Sequence, residues 1–271
     1  MRPRLGGGSN LPILMLKLSV VVLTKNEERN IKDCLESVSG WVDEIIVLDD
    51  ESADKTAEIA GKYGAKIIHR KMDVEGRQRN FGYAQARNQW VLSLDADERV
   101  TPELKEEISA AISKETPCNG WTIPRRNYVG DYWARYGGWY PSPQLKLFRK
   151  DKFRYEEAAV HPRAFMDDPC GHLKADIIHY SYKNLEDFIG KMNNQTTREA
   201  QKWYAQNKPM RLGKFIWRSY DRFFRAYLGK KGWKDGYLGF VLAYFAGLYQ
   251  FLSYLKYREL VRVNKCPRTI P

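Results

Sequence analysis

Val91-Leu-Ser-Leu-Asp-Ala-Asp-Glu98 is an apolar run that opens, at its C-terminal end, into two carboxylates one residue apart. The run reads as a buried strand, and an Asp-x-Asp step where a strand becomes a loop can hold a hard divalent cation against a diphosphate. Alone the step is weak, because such acidic spacings arise by chance. Two earlier stretches give it weight. Leu18–Leu23 is a β-branched strand running into Thr24-Lys25-Asn26-Glu27-Glu28, and Glu44–Leu48 is a second, ending in Asp49-Asp50-Glu51-Ser52. A doubly wound α/β sheet gathers ligands at the carboxyl ends of its strands, so three polar strand ends in succession point to one nucleotide crevice.

Helical patterns fill the intervals. Asn30–Val38 places Ile31, Cys34, Leu35 and Val38 on one face. Ser52 is expected to cap a helix over Ala53–Tyr63, which Gly64 ends. Ala65–His69 reads as a third strand, Gly76–Asn88 as a helix, Trp90–Leu94 as a strand, and Thr101-Pro102 as the start of a helix reaching about Ser113. This alternation predicts an α/β, Rossmann-like, mostly parallel sheet flanked by helices. Beyond Gly120 the pattern changes: Trp121–Pro124, Gln144–Arg149 and Ala175–Tyr180 read as strands among long loops rich in Gly, Pro, Trp and Tyr, and Asn184–Asn207 as a polar helix.

Charge divides the chain further. The net charge is +12, and residues 208–271 hold 14 basic and 3 acidic side chains, so +11 of it resides in that tail. Within the tail, Lys214, Arg218, Arg222 and Arg225 share one helical face, with Leu212, Phe215, Ile216, Phe223 and Tyr227 mostly opposite. Leu238–Leu255 then runs 18 residues without a charge and is rich in Tyr and Phe. A basic amphipathic helix beside an aromatic apolar one suits an anionic membrane interface, and so many tyrosines favour lying in the headgroup zone over spanning. The four cysteines are scattered, without zinc or redox spacing, and read as reduced thiols of a cytosolic protein. The expected plan is a flexible extension (1–15), an α/β domain (16–207) with a nucleotide-sugar half (16–118) and an acceptor half (119–207), and a helical, membrane-associating tail (208–271).

These residues resemble family 2 inverting glycosyltransferases of the GT-A fold. The resemblance runs through Leu18–Glu28, Val47–Thr56, Arg79-Asn-Phe-Gly82 and Leu94-Asp-Ala-Asp-Glu98, and covers roughly Leu16–Asn207. Through Pro143-Gln-Leu-Lys-Leu-Phe-Arg149 and His179-Tyr-Ser-Tyr182 it is most similar to bacterial enzymes that add β-glucose to heptose in the lipopolysaccharide inner core. It implies a UDP-hexose donor, UDP-glucose above all, and a lipid-linked glycan acceptor. Work would proceed at the cytoplasmic side of the bacterial inner membrane. Thr24, Asn26, Glu28, Asp50, Arg77, Arg79 and Asp95 are the expected nucleotide-sugar contacts. Asp97, Asp95 and His179 are the expected ligands of Mg²⁺ or Mn²⁺, with His161 an alternative histidine. An inverting displacement needs a base for the acceptor hydroxyl. Related sequences often show Val-His-Glu where this chain has Val160-His161-Pro162, which leaves Glu157 and Glu156 as the nearest acids and Asp131 as another candidate.

Two other classes fit less well. Nucleotidyltransferases with similar sheets open with a Gly-rich phosphate loop, and Thr24–Glu28 has no glycine. A nucleic-acid binder would use the basic tail, but aligned acidic strand ends repel phosphate unless a metal intervenes, so no nucleic-acid partner is expected.

Overall fold

The computed structural model describes residues 16–113, 115–157, 163–166, 170–207 and 211–265, so the extension expected over 1–15 lies outside the described residues. The first half alternates as the pattern predicts: β1 (Leu16–Thr24), α1 (Ile31–Val38), β2 (Val42–Asp49), α2 (Thr56–Lys62), β3 (Lys66–His69), α3 (Glu75–Ala84), β4 (Trp90–Asp95), β5 (Glu98–Val100) and α4 (Pro102–Ser113). Then come β6 (Gly120–Ile123), β7 (Arg125–Val129), β8 (Tyr132–Trp133), β9 (Gln144–Arg149), β10 (Phe153–Tyr155), β11 (Ala164–Met166), β12 (Cys170–His172) and β13 (Ile177–Tyr182). Three helices close the chain: α5 (Leu185–Ala205), α6 (Leu212–Phe224) and α7 (Gly236–Lys265).

The main sheet has the order β12-β6-β9-β4-β1-β2-β3. β1 pairs in parallel with β2 and β4, β2 with β3, and β6 with β12, while β9 runs antiparallel to both β4 and β6. All strands but β9 therefore point the same way. Leu18, Val20 and Val22 of β1 meet the apolar stripe of α1 on one face, and Val21 joins Ile46, Tyr83 and Phe148 on the other. Ile31, Leu35 and Val38 are fully buried, each contributing about 1.5–3 kcal/mol. Gly82 brings α3 close to β1 and β2, since a Cβ there would lie 3.1 Å from both Val21 and Leu48.

One helix start differs from expectation. α2 begins at Thr56, and Ser52 does not cap it: its hydroxyl donates to Asp49 and accepts from the Asn26 amide at 2.8 Å. The hydroxyl stitches the loop after β2 to the loop after β1.

A smaller sheet, ordered β5-β13-β7-β8, stands beside the first. β13 is antiparallel to β5 and parallel to β7, with His179 in register with both Glu98 and Asn127. Asn184 caps α5 by accepting from the Asp187 amide at 2.9 Å, and Phe188, Met192, Thr196, Ala200 and Trp203 form its buried stripe. α7 packs on that stripe, with Leu242 in one cluster with Val129, Phe188 and Met192. Lys256 Nζ donates to the Asn193 side chain at 2.7 Å and to Thr196 at 2.9 Å. Helix α5 of the expected α/β domain and helix α7 of the expected tail are thus packed on each other. On α6, Phe215 is buried against Trp203 and Tyr254, whereas Leu212 and Ile216 of the same expected apolar face stay exposed.

Candidate active site

The ends of β1, β2 and β4 lie side by side and open into a chamber of about 260 Å³ whose walls include Thr24, Lys25, Glu27, Asp50, Arg79 and Asp97. Thr24 Oγ1 is buried and has no hydrogen-bond partner among the described residues. Asp50 accepts from Lys25 Nζ and from the Met72 amide, both at 2.8 Å. Burial would raise its pKa, but these donors outweigh that and hold it below the usual carboxylate range.

A second chamber, of about 360 Å³, shares Glu75, Arg79, Asp95 and Asp97 with the first and adds Arg125, Lys146, Tyr155 and His179. Its floor is a charge network. Asp95 accepts from Arg79 at 2.9 Å and from Lys146 at 3.0 Å, and fully buried Glu98 accepts from Lys146 at 2.6 Å and from the Asp95 amide at 2.9 Å. Burial opposes charge on Arg79, Asp95 and Lys146. The two cations nevertheless hold the Asp95 carboxyl well below its ordinary range, and the two acids hold the Lys146 ammonium above its own.

Asp97 and His179 form the remaining wall. The Tyr180 amide donates to the Asp97 carbonyl at 3.0 Å, which seats β13 beside the loop after β4 and brings His179 Nε2 within 3.6 Å of Asp97 Oδ2. Asn127 gives its amide nitrogen to the Trp139 carbonyl, so its Oδ1 faces His179 Nδ1 at 2.7 Å. That contact assigns the proton to Nδ1 and leaves the Nε2 lone pair aimed at Asp97. Asp97 Oδ1 is buried without a hydrogen-bond partner among the described residues. A carboxylate and an imidazole with vacant lone pairs and an oriented second shell fit a divalent ion that completes its shell with diphosphate oxygens and water. Among the described residues no three His, Cys, Asp or Glu side chains converge into a full cage.

The crevice thus brings together Thr24, Asp50, Arg79, Asp95, Asp97 and His179, and leaves out others. Asn26, in the left-handed region (φ 54°), and Glu28 accept from the Ala53 and Lys55 amides at 2.8 and 3.3 Å; they brace loops and do not line either chamber. Arg77 is held outside by Asp73 and Glu157. Glu157 pairs with Arg77 at 3.2 Å and Glu156 takes the Arg163 amide at 3.3 Å, and neither lines either chamber. Asp95 has one oxygen on Arg79 and the other on Lys146. Asp131 lines a different groove, and His161 lies outside the described residues. Sequence reasoning missed Lys146, Glu98, Arg125, Asn127, Glu75 and Glu27. Glu27 also lines the first chamber, and burial pushes its carboxyl up, with nearby Asp97 adding to the shift.

The profile of glycosyl transferase family 2 matches residues 19–173, more than half of the chain. The chain belongs to this family. Its sheet, with strand ends converging on Asp-x-Asp, is the GT-A architecture, and the family makes it a glycosyltransferase. The lipopolysaccharide core biosynthesis glycosyltransferase LpsC of Rhizobium meliloti (strain 1021) is 26% identical over 248 residues, covering 89% of this chain and 92% of the relative. Among solved structures, S. aureus TarS 1-349 aligns over 94% of this chain and 93% of its own, at 17% identity and a TM-score of 0.46. Glucosyl-3-phosphoglycerate synthase from Mycobacterium tuberculosis, solved with Mn²⁺, UDP and glucosyl-3-phosphoglycerate, aligns over 40% of this chain and 44% of its own, at 24% identity and a TM-score of 0.36.

Proposed function

We propose that this glycosyltransferase is metal-dependent and inverting, and that it moves a hexose, glucose from UDP-glucose, onto a lipid-linked glycan such as the lipopolysaccharide inner core. The observation carrying the reading is Asp97 Oδ1, unpartnered among the described residues and beside His179 Nε2, where two chambers meet that share Arg79, the second also holding Lys146. Asp97 and His179 would hold Mg²⁺ or Mn²⁺, whose chemistry there is Lewis-acid stabilisation of the departing UDP. Asp95 keeps Arg79 and Lys146 charged and aimed into the crevice, where they meet the negative charge that develops on the diphosphate. Thr24 offers its unpaired hydroxyl to the nucleoside. Asp50 can accept a uracil N–H once Lys25, whose side chain is 57% exposed, swings away.

Glu75 lines both chambers, which Glu27 and Asp50 do not, and it is our choice of general base in place of Glu156 and Glu157; one of its oxygens accepts from Arg79 at 3.1 Å. Glu75→Gln is expected to lower kcat about 10²–10⁴-fold while leaving UDP affinity within about twofold. Equal losses in both would show that Glu75 only orients Arg79.

The acceptor reading draws on the likeness to LpsC and on the tail. Residues Gly232–Asn264 are long and apolar enough to cross a membrane by length and composition. They pack against α5 through Leu242 and against α6 through Tyr254, so we place the tail on the membrane surface, peripheral at the cytoplasmic face of a bacterial inner membrane. Leu212, Ile216, Tyr220, Phe224 and Leu228 step by four along one exposed ridge of α6 and the turn after it, next to exposed Trp217.

Isothermal titration with UDP, UDP-glucose, GDP and ATP, with and without Mn²⁺, tests the donor reading. Mn²⁺-dependent UDP binding that Asp97→Ala abolishes is the expected result. No UDP binding under any metal condition overturns it.

A further inference from the structure

A third cavity, separate from the two chambers, lies between the β7–β8 hairpin and the turn that precedes α7. Its volume is about 760 Å³, and its walls carry Tyr132, Trp133, Arg135, Tyr136, Trp233 and Lys234. Tyr132 is 40% and Trp233 51% exposed, so flat aromatic faces are open to solvent on opposite walls. The Arg135 guanidinium stands 4.3 Å over the Trp133 ring, and Lys234 Nζ lies 5.5 Å from the Tyr136 ring centre and 5.7 Å from that of Trp233. Neither cation is in an ion pair among the described residues.

Two acids also border the cavity, Asp131 and Asp235. Asp235 is buried and already engaged: it accepts from the Arg135 and Tyr136 amides at 3.0 and 2.8 Å and from the Tyr132 hydroxyl at 3.2 Å. Its charge is thereby turned inward, and Asp131 is left on the rim as an acceptor for hydroxyl groups.

We infer that this groove binds an anionic saccharide, a sugar segment bearing phosphate, and that it holds the membrane-proximal part of the acceptor glycan. Aromatic faces pack against the C–H surfaces of sugar rings, and two cations resting on those rings stand ready for phosphate oxygens. Placement supports the assignment. Arg135 and Tyr136 face this groove, while the next residues, Gly137, Gly138 and Trp139, line a chamber that also contains His179. One short loop thus divides the groove from the catalytic crevice. On the groove's other wall, Trp233 is followed by Tyr237, 82% exposed, at the start of α7, the helix we place on the membrane surface. A glycan rooted in the membrane would cross the groove before its outer sugar reached the crevice.

This inference rests on the proposed lipid-linked acceptor, and the test separates the two. The probe is de-acylated, phosphorylated lipopolysaccharide core oligosaccharide, titrated by tryptophan fluorescence into the full chain, into Trp233→Ala and into the double variant Arg135→Ala/Lys234→Ala. UDP with Mn²⁺ is titrated in parallel as a control for the fold and the donor site. The expected result is at least tenfold weaker probe binding in both variants, a matching loss for phosphatase-treated probe on the wild-type protein, and unchanged UDP affinity. Variants that bind the probe as tightly as wild type overturn the groove. A wild-type protein that binds UDP but not the probe also overturns it, leaving the donor reading intact, whereas absent UDP binding overturns the donor reading instead.

Discussion

Lys146 shows how one residue can be present in a motif yet hidden in meaning. In Gln-Leu-Lys-Leu-Phe-Arg the alternation assigns it to a solvent face, but β9 lies between β4 and β6 and the side chain is only 2% exposed, facing Asp95 and Glu98. Partners more than forty residues away cannot be read from a strand's own period. Lys146→Met leaves two carboxylates without their shared cation and is expected to cost about 3–5 kcal/mol, measured by urea unfolding. A loss within about 1 kcal/mol would mean that Arg79 and Arg125 suffice. The pH dependence follows from Asp95. Its folded pKa is depressed, so the stability it contributes is present above its unfolded value, about 4, and is lost as pH falls toward the folded value. Unfolding free energy should therefore drop less steeply on acidification below about pH 4 in Asp95→Asn than in the wild-type protein. The place of Thr24, Asp50, Asp95 and Asp97 at the crevice was legible because Thr24 and Asp95 end β1 and β4 while Asp50 and Asp97 stand one and two residues beyond β2 and β4, strands whose period is clear. Asn26 and Glu28 carried the same local signal, yet their partners across the loop gave them a bracing role.

Elements with enough length to show a period came through: the α1 stripe, β9 to its exact bounds as Gln144–Arg149, and α4 from its Pro102 start. β5, β10, β11 and β12 have three residues each, too few for alternation to register; β5 and β12 exist through pairing with distant strands, and β10 and β11 through pairing with each other. The helix expected from Ala53 starts late because Ser52, Asp54 and Thr56 are tied to the loop after β1: the Glu27 amide reaches Thr56 at 2.8 Å and the Glu28 amide reaches Asp54 at 3.1 Å. At the other end of the chain, α7 depends on a glycine. A Cβ on Gly239 would lie 1.9 Å from the Gly232 carbonyl and 2.9 Å from Asp235, so Gly239→Ala must displace the turn that holds Asp235. The expected outcome is a loss of about 1–3 kcal/mol in stability and a raised KM for the acceptor, with UDP affinity retained. Unaltered acceptor kinetics would separate the turn from the acceptor loop.

At the scale of the molecule, charge and exposed apolar surface coincide in one region, and their sum predicts behaviour that neither gives alone. The protein should co-sediment with vesicles containing anionic phospholipid, release as salt rises, and lose binding about tenfold or more in Trp217→Ser/Phe224→Ser. Retention by neutral vesicles at high salt would instead favour deeper insertion of α7. The composition of the tail was readable from sequence; its union with the acceptor half was not, because that union depends on Asp235 meeting the amides of Arg135 and Tyr136 about a hundred residues earlier in the chain. That long reach has a consequence in time. Strands β1 to β4 pair among themselves and with β9, all before the tail is made, but the loop of Arg135 and Tyr136 has no cap for its two amides until Asp235 has emerged. Nascent chains halted before residue 235 should therefore hold β1 to β4 while the Arg135 and Tyr136 amides exchange freely with solvent, so birth order is written into the hydrogen-exchange pattern of the stalled chain.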